Sequence, residues 1–122
     1  MPDTNYNQTV NVSLEFVKEN TGNDPDILKE MINLFISSLP EQMEELKKAK
    51  ANKDWPNVGA YAHKMKPNLD MLGVEVLYEP IRFIEKNGKA EENLEQVAEE
   101  VDKMDGKINE VVSQLEELKK EV

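Results

Sequence analysis

The sequence predicts an all-α fold, an antiparallel up-and-down four-helix bundle with a short additional N-terminal helix, and three observations carry that prediction. Apolar residues recur at i, i+3/i+4 through segments 27–49, 58–72, 77–84 and 94–118. No stretch alternates apolar and polar residues as a half-buried strand does. Short breaks rich in Asn, Asp, Gly and Pro separate the segments, so each helix must turn back on the one before it.

The opening residues are polar, contain Pro2 and show no period, which predicts a flexible segment over 1–12, with Tyr6 and Val10 touching the surface, ahead of one domain over 13–122. Leu14, Phe16 and Val17, followed by Thr21-Gly22-Asn23-Asp24-Pro25, predict a short helix ended by a turn. Asp24 then caps the second helix, with Pro25 at its first position and a stripe of Ile27, Leu28, Met31, Ile32, Phe35, Leu39, Met43, Leu46 and Ala49. Pro40 lacks the N–H that would bond the Ile36 carbonyl, so a kink or split is expected there. Asp54 caps the third helix, Trp55-Pro56 fills its first turn and Gly73 ends it. Residues 74–87 supply a fourth, with Leu77, Ile81 and Ile84 inward and Gly88 as the stop. In the last helix Leu94, Val97, Val101, Met104, Ile108, Val111, Leu115 and Leu118 follow steps of three and four. Gly106 is its one flaw, costing about 1 kcal/mol and allowing a bend. That heptad-like stripe also suits a coiled-coil dimer seam, but three other stripes need covering, which favours an intramolecular core and a monomer.

Composition excludes several functions. A chain of 122 residues with 33% charged and 39% hydrophobic residues is the length of one soluble domain. The absence of cysteine rules out disulfides and thiolate metal sites and fits a reducing compartment. No run approaches the ~18 apolar residues of a membrane span, and the start MPDTNYNQTV lacks the features of a signal peptide, so a cytoplasmic protein is expected. A net charge of −10 argues against nucleic-acid or anionic-membrane binding. The charge is uneven, however: residues 47–66 carry six lysines and one acid, whereas residues 89–122 carry eleven acids and five lysines.

The only histidine lies in that positive stretch. At about 100° per residue, Val58, Ala62, Met65, Leu69 and Leu72 fall within ~40° of one line, and His63 projects roughly 140° away from it. Gly59, Lys66, Pro67 and Asp70 share the outer side, so the imidazole faces water with a cation one turn on and no side chain one turn back. A positive site on an acidic body suits an acidic partner surface or a phosphoryl group; lysines solvating the end of one helix explain the same charges. A carboxylate-bridged metal bundle needs a second histidine, and hydrolytic or nucleotide chemistry needs a Gly-x-Ser-x-Gly, a second base or a phosphate-cradling glycine loop; none occurs.

His63-Lys64-Met65-Lys66, with Leu72 and Gly73 nine and ten residues past the histidine, resembles the histidine-containing phosphotransfer (HPt) domain. That family's pattern is histidine, any residue, an aliphatic, lysine, usually glycine, then a hydrophobic residue and glycine at those later spacings. Leu34-Phe35, Leu39-Pro40 and Asp54-Trp55 are also similar to the family, which extends the resemblance over roughly residues 14–118. Pro67 departs from it, standing where glycine is usual. The resemblance implies a phosphoryl carrier of a multistep phosphorelay rather than an enzyme. His63 would be phosphorylated on the ring nitrogen farther from the backbone, Lys66 would stabilise the phosphoryl group, and Gly73 would match the glycine ending the active helix. The implied partners are a response-regulator receiver domain and/or a hybrid sensor histidine kinase. Magnesium would come with the receiver, leaving no cofactor or metal for this chain to bind.

Physical chemistry agrees. An exposed imidazole is mostly uncharged, hence nucleophilic, above pH 7. Lysines 64 and 66 suit an incoming phosphoryl group. Gly59 is expected to leave room for the partner's aspartyl phosphate, Pro67 to keep the docking surface flat with its compact ring, and Met71 to offer an apolar docking contact. Asp70 either pairs with Lys66 or stands solvated. The alternative is a helical adaptor that binds a receiver or another helix without being phosphorylated; loss of His63 or Lys66 would have favoured it.

Overall fold

Among residues 9–122, which the computed structural model describes, the chain forms five α-helices and no strand: α1 (Glu15–Thr21), α2 (Pro25–Ala51), α3 (Trp55–Met71), α4 (Tyr78–Ala90) and α5 (Leu94–Lys119). A 3-10 turn over Glu75–Leu77 leads into α4. The helix α2 packs on α3 and α5, and α4 on α3 and α5, so four helices close a ring around one core while α1 rests on α2. Pairs across the seams run in opposite chain directions: Lys47 with Asp105 and Lys50 with Asp102 at α2–α5, His63 with Glu85 and Asp70 with Arg82 at α3–α4. The bundle is therefore antiparallel, as the short connections between helices predict.

Local chemistry explains each element. The Asp24 carboxylate accepts from the Asp26 and Ile27 amides at 2.9 and 3.4 Å and starts α2 behind Pro25. From there Leu28, Ile32, Phe35, Leu39, Met43, Leu46 and Ala49 are buried at steps of three and four. Pro40 stays within this one helix on its exposed side, and the buried neighbours Leu39 and Met43 hold the halves in register; the helix is not split. Asp54 stands at the start of α3, but its carboxylate accepts from the Asn57 side chain at 2.6 Å and not from a backbone amide. At the far end Gly73 adopts φ 62°, the left-handed conformation a residue with a Cβ resists. In α5, Val97, Val101, Met104, Ile108, Val111 and Leu115 are all buried, so the bundle itself consumes the stripe that a dimer seam would need. Gly106 lies inside that helix without ending it.

Two expectations need correction. Gly88 does not stop α4, which runs on to Ala90 and ends with Glu91 at φ 53°. Gly88 is buried, and a Cβ there would lie 2.9 Å from the Gly59 nitrogen and 3.1 Å from the Trp55 carbonyl. Its hydrogen serves helix packing rather than termination. The loose segment expected over 1–12 falls mostly outside the described residues, Tyr6 included, but its last part is docked. Val10 is buried, and the Gln114 side chain brackets it by donating to the Val10 carbonyl (2.6 Å) and accepting from the Val12 amide (2.9 Å). The Ser13 amide then donates to the Leu72 carbonyl at 2.8 Å, tying this strap to the end of α3. Among the described residues no helix is long and apolar enough to cross a membrane.

Candidate functional site

Val58, Ala62, Met65, Leu69 and Leu72 are buried, which turns His63 outward with 61% of its side chain exposed. On the neighbouring helix, buried Ile81 and Ile84 set the inner face of α4 and leave Glu85 at the edge of the α3–α4 seam. The two backbones come unusually close there. A Cβ on Gly59 would lie 2.8 Å from the Lys89 nitrogen and 3.0 Å from the Glu85 carbonyl, so only glycine fits this crossing. Gly59 is accordingly buried, and the space it leaves is filled by α4. The expectation that it opens a path for a docking partner is corrected: its small size draws Glu85 toward the histidine.

Glu85 organises the site. It is only 14% exposed, and its two oxygens accept from three side chains: Lys66 Nζ to Oε1 at 2.7 Å, His63 Nδ1 to Oε2 at 2.6 Å, and Lys89 Nζ to Oε2 at 3.3 Å. Burial pushes this carboxyl up, but hydrogen bonds from Lys66, His63 and Lys89, together with the Lys66 charge, outweigh it and bring it down from 4.5 to about 2. The carboxylate therefore has no proton to give near neutral pH, and the short contact with the ring must be an Nδ1–H donating to it. That assignment leaves Nε2, the nitrogen farther from the backbone, as the basic atom of the neutral ring.

The other predicted residues divide around this centre. Lys66 reaches not the ring but the same carboxylate, one oxygen away from it. Lys64 is exposed, with its ammonium 5.5 Å from the centre of the Tyr61 ring. Asp70 does not pair with Lys66; it remains exposed and accepts from Arg82 at 2.6 Å, because α4 carries that guanidinium opposite it. The bond with Asp70 raises the Arg82 pKa above its ordinary value. Pro67 lies exposed inside α3, and the helix continues through it to Met71, which is half-buried against the core rather than free at the surface. Among the described residues no group of three or more His, Cys, Asp or Glu side chains could hold a metal ion.

Sequence reasoning missed Glu85, Lys89, Arg82 and Tyr78. The i, i+4 spacing of Glu85 and Lys89 and the position of Glu85 beside Ile84 were visible signals. Neither says which helix Glu85 faces, because that depends on the α3–α4 register.

A search of curated proteins and a search of solved structures each find no match to this chain. The family model of the Hpt domain, a phosphocarrier module of phosphorelays, matches residues 30–121, a span that contains α3, α4 and the whole His63–Glu85–Lys66 cluster. The chain belongs to the Hpt domain family.

Proposed function

We propose that this chain is a histidine phosphotransfer protein of a multistep phosphorelay, shuttling a phosphoryl group between aspartates of receiver domains through phosphohistidine at His63. The observation that carries the reading is the ring, 61% exposed, with Nδ1 held against the Glu85 carboxylate at 2.6 Å, which leaves Nε2 as the nucleophilic nitrogen. In the forward step the Nε2 lone pair attacks the phosphorus of the receiver's aspartyl phosphate in line. The N–P bond forms as the P–O bond to the aspartate breaks, and that carboxylate leaves with the electron pair. The ring becomes positively charged as it is phosphorylated, and Glu85 stabilises that charge through the Nδ1–H. Lys66 needs only to turn from the Glu85 oxygen to donate to the phosphoryl oxygens. Magnesium held by the receiver would supply the neutralisation of charge on the transferring group, so one imidazole and a short list of side chains would suffice on this side.

The test is to mix the protein with a receiver domain carrying labelled aspartyl phosphate, in the presence of magnesium. The expected product is an acid-labile, alkali-stable label on the wild-type chain and none on His63→Gln. Binding of the receiver with no label transferred would overturn this reading in favour of the adaptor. Label on the His63→Gln variant would place the phosphoryl group elsewhere.

A further inference from the structure

The histidine occupies one part of the α3–α4 face, and a second structured feature lies farther along it. Asp70 stands seven residues beyond His63 and Tyr78 seven residues before Glu85, each about 10 Å along its helix from the site. Arg82 joins them. It donates to Asp70 at 2.6 Å and to the Tyr78 carbonyl at 3.1 Å, and its guanidinium lies 3.5 Å from the centre of the Tyr78 ring. An arginine held at three points has given up its rotamer freedom before any partner arrives. Tyr78 is 53% exposed, so its ring is open to a partner. Beside it opens a shallow, mostly apolar cleft of about 200 Å³ between Leu69, Gly73, Val74 and Tyr78, with Asp70 and Glu75 at its rim.

The transfer chemistry needs none of these groups, and none of them bonds to His63. A partner centred on His63 must nevertheless cover them. A specific protein–protein interface buries ~800 Å² on each side, a patch roughly 16 Å in radius, so a platform about 10 Å away lies inside the footprint. Tyrosine and arginine are also the residue types in which interface energy concentrates, most of all when they are rigid beforehand. Among the described residues, the other exposed large apolar side chains, Phe16, Ile27 and Leu34, belong to α1 and α2 and not to this face. Any receiver can bring an aspartyl phosphate to Nε2, so discrimination between receivers has to come from groups outside the reacting atoms.

We propose that the Tyr78–Arg82–Asp70 platform and its cleft decide which receiver domain docks, by seating an apolar side chain of the receiver against the Tyr78 ring. The inference rests on the phosphotransfer reading of His63.

Its test separates docking from chemistry. Wild-type and variant chains are loaded to equal phosphohistidine content with phosphoramidate, a small donor that needs no docking surface. Transfer is then followed against concentration for the receiver domains encoded in the source genome. Tyr78→Ala should raise KM for the preferred receiver about 10-fold while kcat moves less than about 3-fold. Tyr78→Phe, which keeps the ring, should restore the wild-type KM. Arg82→Gln, a surface change checked for folding by circular dichroism, should raise KM by about 3-fold or more and narrow the gap between preferred and poor receivers. An unchanged KM in both Tyr78→Ala and Arg82→Gln, with wild-type transfer intact, would overturn the platform and leave the phosphotransfer reading standing. A fall in kcat alone would overturn it equally. A wild-type chain that phosphoramidate cannot load, or that passes its phosphoryl group to no receiver, would remove the phosphotransfer reading and the platform together.

Discussion

The two seams α2–α5 and α3–α4 belong to one bundle and have been put to different uses. At α2–α5 two simple pairs lie at the rim, Lys50 with Asp102 at 2.7 Å and Lys47 with Asp105 at 3.3 Å, with Asp102 exposed and Asp105 half-buried. Such pairs sit in high dielectric, pay side-chain entropy and contribute little. At α3–α4 a glycine pair brings the backbones together, and one largely buried carboxylate accepts from an imidazole and two ammonium groups. A carboxylate taken out of water is costly unless its lone pairs are filled, so this cluster is strongly constrained. The contrast teaches that a bundle acquires a site where helices approach closely enough for a polar side chain to reach across, not merely where charges are dense.

The largest expected effect therefore comes from forcing the close seam apart. Gly59→Ala places a methyl group against the α4 backbone and should cost about 1–3 kcal/mol in urea unfolding. The same change should slow transfer, because Glu85 no longer reaches the ring. Gly106→Ala, on the exposed side of α5, is the opposite control. A Cβ there meets nothing within 4 Å and the position is helical, so stability should rise by about 0.5–1 kcal/mol. Equal losses at both glycines would break the comparison.

Next in size is Glu85→Gln, which should slow phosphotransfer by about 10- to 100-fold by releasing the ring and Lys66 from their positions. It should also change the acid limb of stability. In the folded chain Glu85 titrates at about 2 against 4.5 ordinarily, so the unfolded chain binds the proton first as pH falls. The stabilisation is fully present above pH 4.5 and disappears between 4.5 and about 2. Urea midpoints measured across that window should fall more steeply for wild type than for Glu85→Gln. Smallest of all should be Lys50→Met at the rim of the α2–α5 seam, within about 0–1 kcal/mol of wild type. A loss there as large as that of Gly59→Ala would erase the distinction between the seams.

Much of this molecule was legible in advance. Periodicity assigned the buried stripe of α3 residue by residue and those of α2 and α5 except near their ends, where Ile27 is exposed and Met31, Leu94 and Leu118 are half-buried; the outward direction of His63 followed from Val58, Ala62, Met65 and Leu69 alone. Capping chemistry located Asp24 and Gly73. The glycines misled where local rules were applied to them. Gly88 reads as a helix stop and Gly59 as an open approach, yet each is there because the other's helix passes within contact distance. Spacing on one helix offers Asp70 only Lys66 or solvent, whereas its partner Arg82 sits on another helix.

The sequence by itself determined which face of each helix is apolar and that the histidine stands clear of the core, because those depend only on the helical repeat and on the order of side chains along it. Only the tertiary structure decided that Glu85 holds the imidazole and both lysines, and that Arg82 locks Asp70 to Tyr78. The contacts of His63 and Lys66 with Glu85 and of Asp70 with Arg82 join residues twelve to twenty-two apart along the chain, through the register of α4 against α3. Register is set by the packing of two surfaces, and neither helix contains that information alone.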